Sequence, residues 1–328
     1  MLSLRYLSRS DALRAGAGDW RKAVRDVRAA TALLRLGEAR LVPESALPMG
    51  GDPRERAYAL PASLGGDYDA AGLKWAVHRS AARGEMPSIA STTLVNRLSD
   101  GRPVGVVESA LLTRMRTAAV TAVAIETLMA GPPSHATILG AGAQARAHLD
   151  MLSELFPSLE SITVWNRTPA HRYAMIADIR PEVRARISAA DTLEDALDQS
   201  QLVISCTTAT QPLLGAWAVQ PDRLIVQVGY HEMAFEAIDA SRVVAVDLWG
   251  DFAATSAKSL FQMHRAGRFE PGRVAADLPA LVVDKWRPPS GASLYFSSFG
   301  LNIFDIALAA RVLKQAEAEN IGVVLPLL

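Results

Sequence analysis

One stretch limits what this chain can fold into more than any other: residues 136–145 read Ala-Thr-Ile-Leu-Gly-Ala-Gly-Ala-Gln-Ala. An apolar strand runs into Gly140, Ala141, Gly142, Ala143, Gln144 and Ala145, and a helix-forming segment follows at once. Gly140 permits a tight turn, Gly142 removes a side chain that would collide with a pyrophosphate, and Ala145 lets the helix lie close on the strand. Unpaired N–H groups at the helix start then meet the anion. Alone, such a glycine fingerprint is weak; between a strand and a helix it is strong. The plainer reading is a tight strand-to-helix turn without a ligand.

A second strand, residues 162–168, reads Ile-Thr-Val-Trp-Asn-Arg-Thr and bears on the choice of nucleotide. A site for NAD usually offers Asp or Glu at this tip to accept from the ribose hydroxyls. Here the tip carries Asn166, Arg167 and Thr168, with Arg172 a turn further on. A guanidinium pairs with the 2′-phosphate that a carboxylate would repel. NADP(H) is therefore the expected cofactor and NAD(H) the alternative. Arg167 could also be no more than a solvated loop charge.

From 136 to about 300 strand and helix patterns alternate, with strands expected at 136–140, 161–166, 202–207, 224–229, 243–248 and 294–297. That order predicts an α/β unit with a doubly wound parallel sheet. The third strand runs out through Cys206, Thr207 and Thr208, where loops near a nicotinamide would lie. The amino-terminal part differs. Residues 10–37 have helical spacing, and short strands are expected at 57–61, 72–78, 91–95 and 104–107, forming an antiparallel sheet. An Ala-rich helix should span 111–129, a closing helix 302–319, and an apolar tail 321–328 should pack on the first domain.

A chain of 328 residues fits two domains, and its zero formal net charge points to neither nucleic acid nor a membrane surface. No apolar run reaches membrane-spanning length, and the first residues lack a signal-peptide core. One cysteine, Cys206, cannot form an internal disulfide, which fits a cytoplasmic setting. Six histidines show no metal-ligand spacing, so no metal is expected.

Three cations stand in unusual contexts. Lys74 lies in an apolar strand, Arg116 near the start of a largely apolar helix, and Arg56 just before another strand. A buried cation needs an anion from the protein or from a substrate. Arg reads carboxylates with paired bonds, and a desolvated Lys beside guanidinium groups holds its proton less firmly. Pairing with a structural carboxylate is the bland alternative.

Arg116-Thr-Ala-Ala, the Gly140 fingerprint and residues 296–305, Phe-Ser-Ser-Phe-Gly-Leu-Asn-Ile-Phe-Asp, together resemble the ornithine cyclodeaminase/mu-crystallin family over nearly the whole chain. The resemblance implies a Rossmann domain at 119–303. Beside it stands an α+β substrate-binding and dimerisation domain at 1–118, completed by 304–328, in a homodimer. The family's enzymes pass hydride between a nicotinamide and the α-carbon of an amino or imino acid. By the same resemblance, Arg56, Lys74 and Arg116 bind substrate, with Lys74 placed for proton transfer. Cofactor positions are then Arg116, Thr117, Gly140, Ala141, Gly142, Ala143, Gln144, Asn166, Arg167, Thr168, Cys206, Thr207, Thr208, Gly229, Ser298 and Gly300.

Residues 6–11, 106–120 and 320–325 look like the 2,3-diaminopropionate branch, the N-(2-amino-2-carboxyethyl)-L-glutamate dehydrogenases of specialised pathways. Cyclodeaminases carry a catalytic Asp after the 224–229 strand; this chain has Gly229, Tyr230, His231, Glu232, Met233 and Ala234. His231 or Glu232 would replace that Asp as a base, or be loop residues of no catalytic weight. The expectation is an oxidoreductase working at a carbon–nitrogen bond. The rivals are a ketimine or cyclic imine reductase, an ornithine cyclodeaminase, and a non-catalytic NADPH-binding protein of the mu-crystallin kind.

Overall fold

Arg56–Leu64, Ala70–His78 and Ile89–Arg97 each form a nine-residue strand, and in the last of them buried and open side chains alternate at a period of two. The computed structural model describes residues 2–52, 55–179 and 183–328. Its chain divides into two units, one running to Arg116 and resuming at Leu301–Leu328, the other comprising Thr117–Gly300.

The first unit begins with β1 (Ser3–Leu7), α1 (Arg9–Arg14) and α2 (Trp20–Arg35). The helical spacing of residues 10–37 is realised as these two helices. Ser8 caps the first and Asp11 bonds back to Ser8, while the Asp19 carboxylate accepts from Lys22 N at 2.9 Å to start the second. Next come β2 (Ala39–Leu41), β3 (Ser45–Pro48), β4 (Arg56–Leu64), β5 (Ala70–His78), β6 (Ile89–Arg97) and β7 (Pro103–Glu108). Helix α3 (Ala110–Leu128) carries the chain across the division.

The second unit alternates as its sequence pattern requires. It contains β8 (His135–Leu139), α4 (Ala143–Leu155), β9 (Ser161–Trp165), α5 (Pro169–Ala177), β10 (Arg186–Ala189), α6 (Leu193–Leu197) and β11 (Leu202–Ser205). There follow β12 (Leu224–Gln227), α7 (Phe235–Ala240), β13 (Val243–Val246), α8 (Ser259–Arg265), β14 (Val274–Asp277), α9 (Leu278–Val282) and β15 (Leu294–Ser297). The strands pair in the order β10-β9-β8-β11-β12-β15-β13-β14, parallel throughout. β8, β11, β12, β13 and β15 are almost wholly buried, as a sheet covered by helices on both faces demands. β10 and β14 are edge strands absent from the sequence expectation. Each is four residues long: Arg186–Ala189 alternates too briefly to stand out, and Val274–Asp277 does not alternate in polarity.

Helix α10 (Asn302–Ala318) and β16 (Val323–Pro326) return the chain to the first unit. Its sheet runs β16-β1-β7-β6-β5-β4-β2, with β3 also on β4. The strands are antiparallel except where β1 lies parallel to β7. Helix α10 packs along β4, β5 and β6, burying Ile303, Phe304, Ile306, Ala307 and Leu308. The tail does join this unit, yet through backbone pairing with β1; Val323, Val324 and Leu325 stay exposed. No described helix is long and apolar enough to cross a membrane.

Candidate active site

Two groups of residues carry chemistry, one in each unit. In the first unit, Lys74 and Leu60 are opposite one another in the β4–β5 register, and strand alternation sends Lys74 to the side covered by α10. There its ammonium donates to Asp305 Oδ2 at 2.9 Å, with side-chain exposures of 4% and 1%. Arg116 Nε donates to Asp305 Oδ1 at 3.2 Å, and Thr113 Oγ1 donates to the same oxygen at 3.4 Å. One carboxylate in the first turn of α10 therefore gathers two cations that lie far apart in sequence.

The electrostatics follow from burial. Desolvation pushes the Lys74 pKa below its ordinary value and the Arg116 charge pushes it the same way, against the pull of Asp305. Desolvation would raise the Asp305 pKa, but Arg116 and Lys74 together outweigh it and hold the carboxyl below the usual carboxylate range. The result is an ionised Asp305 and a lysine that gives up its proton more readily than one in water. Among the described residues no group of His, Cys, Asp and Glu could hold a metal ion.

Arg56 is not on this carboxylate. It opens β4 opposite His78, on the same sheet face as Lys74 but four residues along, roughly 13 Å at strand spacing. Its side chain is exposed, unlike those of Lys74 and Arg116. Tyr58 lies between the two positions along the strand, its ring 5.0 Å from that of His78.

In the second unit the fingerprint takes the geometry its residues predict. Gly140 has φ +113°, and a Cβ there would come within 2.6 Å of the Cys206 carbonyl oxygen, so no other residue fits without strain. Gly142 is the N-cap of α4, and a Cβ on it would meet no atom within 4 Å. No side chain caps this helix, and Gln144 Oε1 is buried without a hydrogen-bond partner. Open space in front of uncapped N–H groups fits the pyrophosphate of a dinucleotide. Behind this cradle, buried His148 bonds the Gln144 carbonyl through Nδ1 at 2.7 Å and Thr121 Oγ1 through Nε2 at 2.9 Å. Burial lowers the His148 pKa to about 4, so the ring is neutral.

At the tip of β9, Asn166 Nδ2 donates to the Thr168 carbonyl at 2.9 Å, and Arg167 and Thr168 are exposed. Arg172 is buried, pairs with Asp191 and stands 5.1 Å from the Tyr173 ring centroid. Of the other expected cofactor positions, Ala141 and Ala143 flank Gly142, and buried Thr117 lies one residue past Arg116 on α3. Cys206, Thr207 and Thr208 leave the end of β11, Gly229 follows β12, and Ser298 and Gly300 follow β15. These ends are contiguous because β8, β11, β12 and β15 are neighbours, and open parallel sheets bind ligands at this carboxyl edge.

Glu232 is fully buried; its Oε1 accepts from Thr207 N at 3.0 Å and Thr207 Oγ1 at 3.1 Å, its Oε2 from Gln227 Nε2 at 3.2 Å. His231 is partly exposed and bonds Gln262 at 2.9 Å through Nδ1.

Sequence reasoning assigned no role to Asp305, Asp247 or Lys258. Asp247 is buried after β13 and accepts from Gly300 N at 2.5 Å and Leu248 N at 3.0 Å. Desolvation raises its pKa against the pull of those bonds. A carboxylate set among apolar residues was the available signal at both aspartates: Asp305 sits in Ile-Phe-Asp-Ile-Ala and Asp247 ends an apolar strand.

Comparison with known proteins bears on the family and the fold. The profile described as the ornithine cyclodeaminase/mu-crystallin family matches residues 19–320. The N-((2S)-2-amino-2-carboxyethyl)-L-glutamate dehydrogenase of Staphylococcus aureus is 26% identical over 286 residues, 85% of this chain and 84% of that protein. The NAD(P)H-dependent anabolic L-arginine dehydrogenase DauB of Pseudomonas aeruginosa is 26% identical over 243 residues, 72% of this chain and 75% of its own. Among solved structures, the Thermococcus litoralis Delta(1)-pyrroline-2-carboxylate reductase in complex with NADH and L-proline superposes with a TM-score of 0.87 at 23% identity. It covers 98% of this chain and 99% of its own.

Proposed function

The chain belongs to the ornithine cyclodeaminase/mu-crystallin family, and on that premise we propose that it is an NAD(P)-dependent oxidoreductase acting at the carbon–nitrogen bond of an amino or imino acid. The observation that carries this reading is the Lys74–Asp305–Arg116 cluster, a buried lysine made ready to exchange its proton. A holder of nucleotides alone has no need of such a group.

A bound nicotinamide supplies the hydride acceptor for the substrate α-carbon, or the donor in the reverse direction. The chain's own residues do the rest. Arg116 and Arg56 hold the substrate carboxylate, since guanidinium groups match its geometry. Lys74 takes the proton from the substrate nitrogen on oxidation and returns it on reduction. Asp305 fixes the positions of Lys74 and Arg116 and sets one negative charge against their two positive ones. Oxidation leaves an electrophilic carbon–nitrogen double bond, which water attacks to split the substrate into an amine and a 2-oxo acid.

The substrate we favour is a secondary amine of the kind named for the Staphylococcus aureus relative, giving 2,3-diaminopropionate and 2-oxoglutarate. Support comes from that similarity and from the segment after β12, where Gly229 is followed by Tyr230 and His231 in place of the cyclodeaminase Asp. NADP(H) is the favoured cofactor because exposed Arg167 stands at the β9 tip without a neighbouring carboxylate in sequence. The same feature supports a second direction, reduction of a ketimine or cyclic imine, in which the same side chains act in reverse. We also expect a homodimer: Leu47, Trp75 and Leu94 are exposed on the sheet face away from α10.

The test is to incubate the purified protein with NADP(H) or NAD(H) and a panel of N-carboxyalkyl amino acids, imino acids and ornithine, following absorbance of the reduced nicotinamide. Turnover of an N-carboxyalkyl amino acid with release of a 2-oxo acid is the expected result. Conversion of ornithine to proline and ammonia would overturn the substrate assignment. Tight cofactor binding with no turnover of any member would favour the non-catalytic binder.

A further inference from the structure

The segment after β12 is tied down by a buried polar network centred on Lys258. The Lys258 ammonium, on a residue only 2% exposed, donates to the Val228 carbonyl at 2.5 Å and the Gly229 carbonyl at 2.6 Å. The next carbonyl, that of Tyr230, accepts from Ser259 N at 2.8 Å and from Ser259 Oγ at 3.1 Å. From below, Gln227 Nε2 reaches both Ser259 Oγ and Glu232 Oε2, while Gln227 Oε1 accepts from Tyr295 OH at 2.5 Å. A Cβ on Gly229 would lie 1.8 Å from Glu232 Oε1 and 2.5 Å from the Thr207 carbonyl oxygen, so no side chain fits there.

Lys258 stands where a lysine is doubly unfavourable. Its charge is taken out of water, which costs several kcal/mol for an ion of this size in order-of-magnitude terms. It is also the N-cap of α8, the positive end of that helix, where an anion is preferred. Its ammonium is met by the two loop carbonyls, by the Tyr230 ring 5.2 Å from it and by the charge of buried Asp247, whose pKa it lowers. A buried lysine that holds the backbone of one loop in this way is a costly local choice, and such choices gather at functional sites. That loop lies at the carboxyl edge of the sheet, two strands from the Gly140 cradle in the order β8-β11-β12. A dinucleotide whose pyrophosphate rests at β8 and whose adenosine runs to the β9 tip extends its other half over β11 and β12.

We infer that Lys258 is a positioning residue for the nicotinamide half of the cofactor: through the Val228 and Gly229 carbonyls it fixes the backbone against which that ring rests. It has no part in holding the adenosine half. This rests on the oxidoreductase reading above and assigns its site a residue to which no comparison points.

Affinity separates the two halves. NADPH and ADP-ribose 2′-phosphate, which lacks the nicotinamide, are titrated calorimetrically into the wild-type protein and into Lys258→Met, Lys258→Arg and Ser259→Ala. Lys258→Met should lose roughly 10- to 100-fold in NADPH affinity, the worth of a hydrogen bond to a charged group, with ADP-ribose 2′-phosphate unchanged. Lys258→Arg should recover part of the loss. Ser259→Ala, which frees the Tyr230 carbonyl, should show the same selective loss at smaller size, and serves if Lys258→Met does not fold. Equal weakening of both ligands, or of neither, overturns the inference. Where the wild-type protein binds NADH instead, NADH and ADP-ribose take the place of the two ligands; wild-type protein that binds neither NADPH nor NADH overturns the oxidoreductase reading itself, and the inference with it.

Discussion

Lys74 and Asp305, 231 positions apart in sequence, meet at 2.9 Å with almost no solvent on either side chain. Arg116 completes the cluster on the other oxygen of the same carboxylate. A buried pair is held together by the absence of water as much as by its own attraction, and losing one member leaves the other stranded.

Asp305→Asn should therefore destabilise the protein by about 3–5 kcal/mol, because two buried cations lose their shared counter-charge. Urea unfolding monitored by circular dichroism measures it. A change below about 1 kcal/mol would mean that other groups compensate both cations.

The same cluster sets a pH dependence. Because burial and Arg116 lower the Lys74 pKa, the proton-accepting form appears at a pH below the ordinary lysine range, and kcat/KM for oxidation should rise along a limb there. Asp305 pulls that pKa up, so the limb should move to lower pH in whatever activity Asp305→Asn retains. A limb that stays in place or moves up would separate it from Lys74.

His148 provides a test of the nucleotide unit that needs no substrate. Its folded pKa of about 4 lies below the unfolded value near 6.5, so between these values the unfolded chain binds more protons. Stability is then lost as pH falls from about 6.5 to 4, by about 3 kcal/mol in all. His148→Gln cannot titrate and should flatten the stability profile across that window. Equal slopes in the two proteins would show that His148 is not the group responsible.

At the β9 tip, Arg167→Asp should shift the preference for NADP over NAD by about 1.5–3 kcal/mol, the range for a hydrogen bond to a charged group. Paired Kd measurements read this directly. An unmoved ratio would leave Arg167 as a solvated charge and transfer the question to Arg172, whose guanidinium is already engaged by Asp191.

Much of this was legible because periodicity and glycine chemistry are local. Gly140, Gly142 and the buried parallel strands announce themselves within a few residues. What was hidden depends on tertiary pairing. Nothing near Lys74 in sequence indicates that its partner is Asp305, supplied by a helix that arrives after the whole second unit. Arg56 reads like Lys74, a cation beside a strand, yet it is the first residue of β4, where its side chain is exposed. The apolar tail joins the first unit, as expected, but as an edge strand that satisfies its backbone on β1 and leaves Val323, Val324 and Leu325 exposed.

Whether Lys74 handles the substrate's proton and takes no part in holding the nucleotide is decided by Lys74→Met, with single-turnover rate and cofactor Kd measured on the same preparation. The rate should fall by about 10²–10⁴-fold, the usual worth of a positioned acid or base, with Kd changed less than about twofold. Turnover at the wild-type rate would remove Lys74 from the proton transfer.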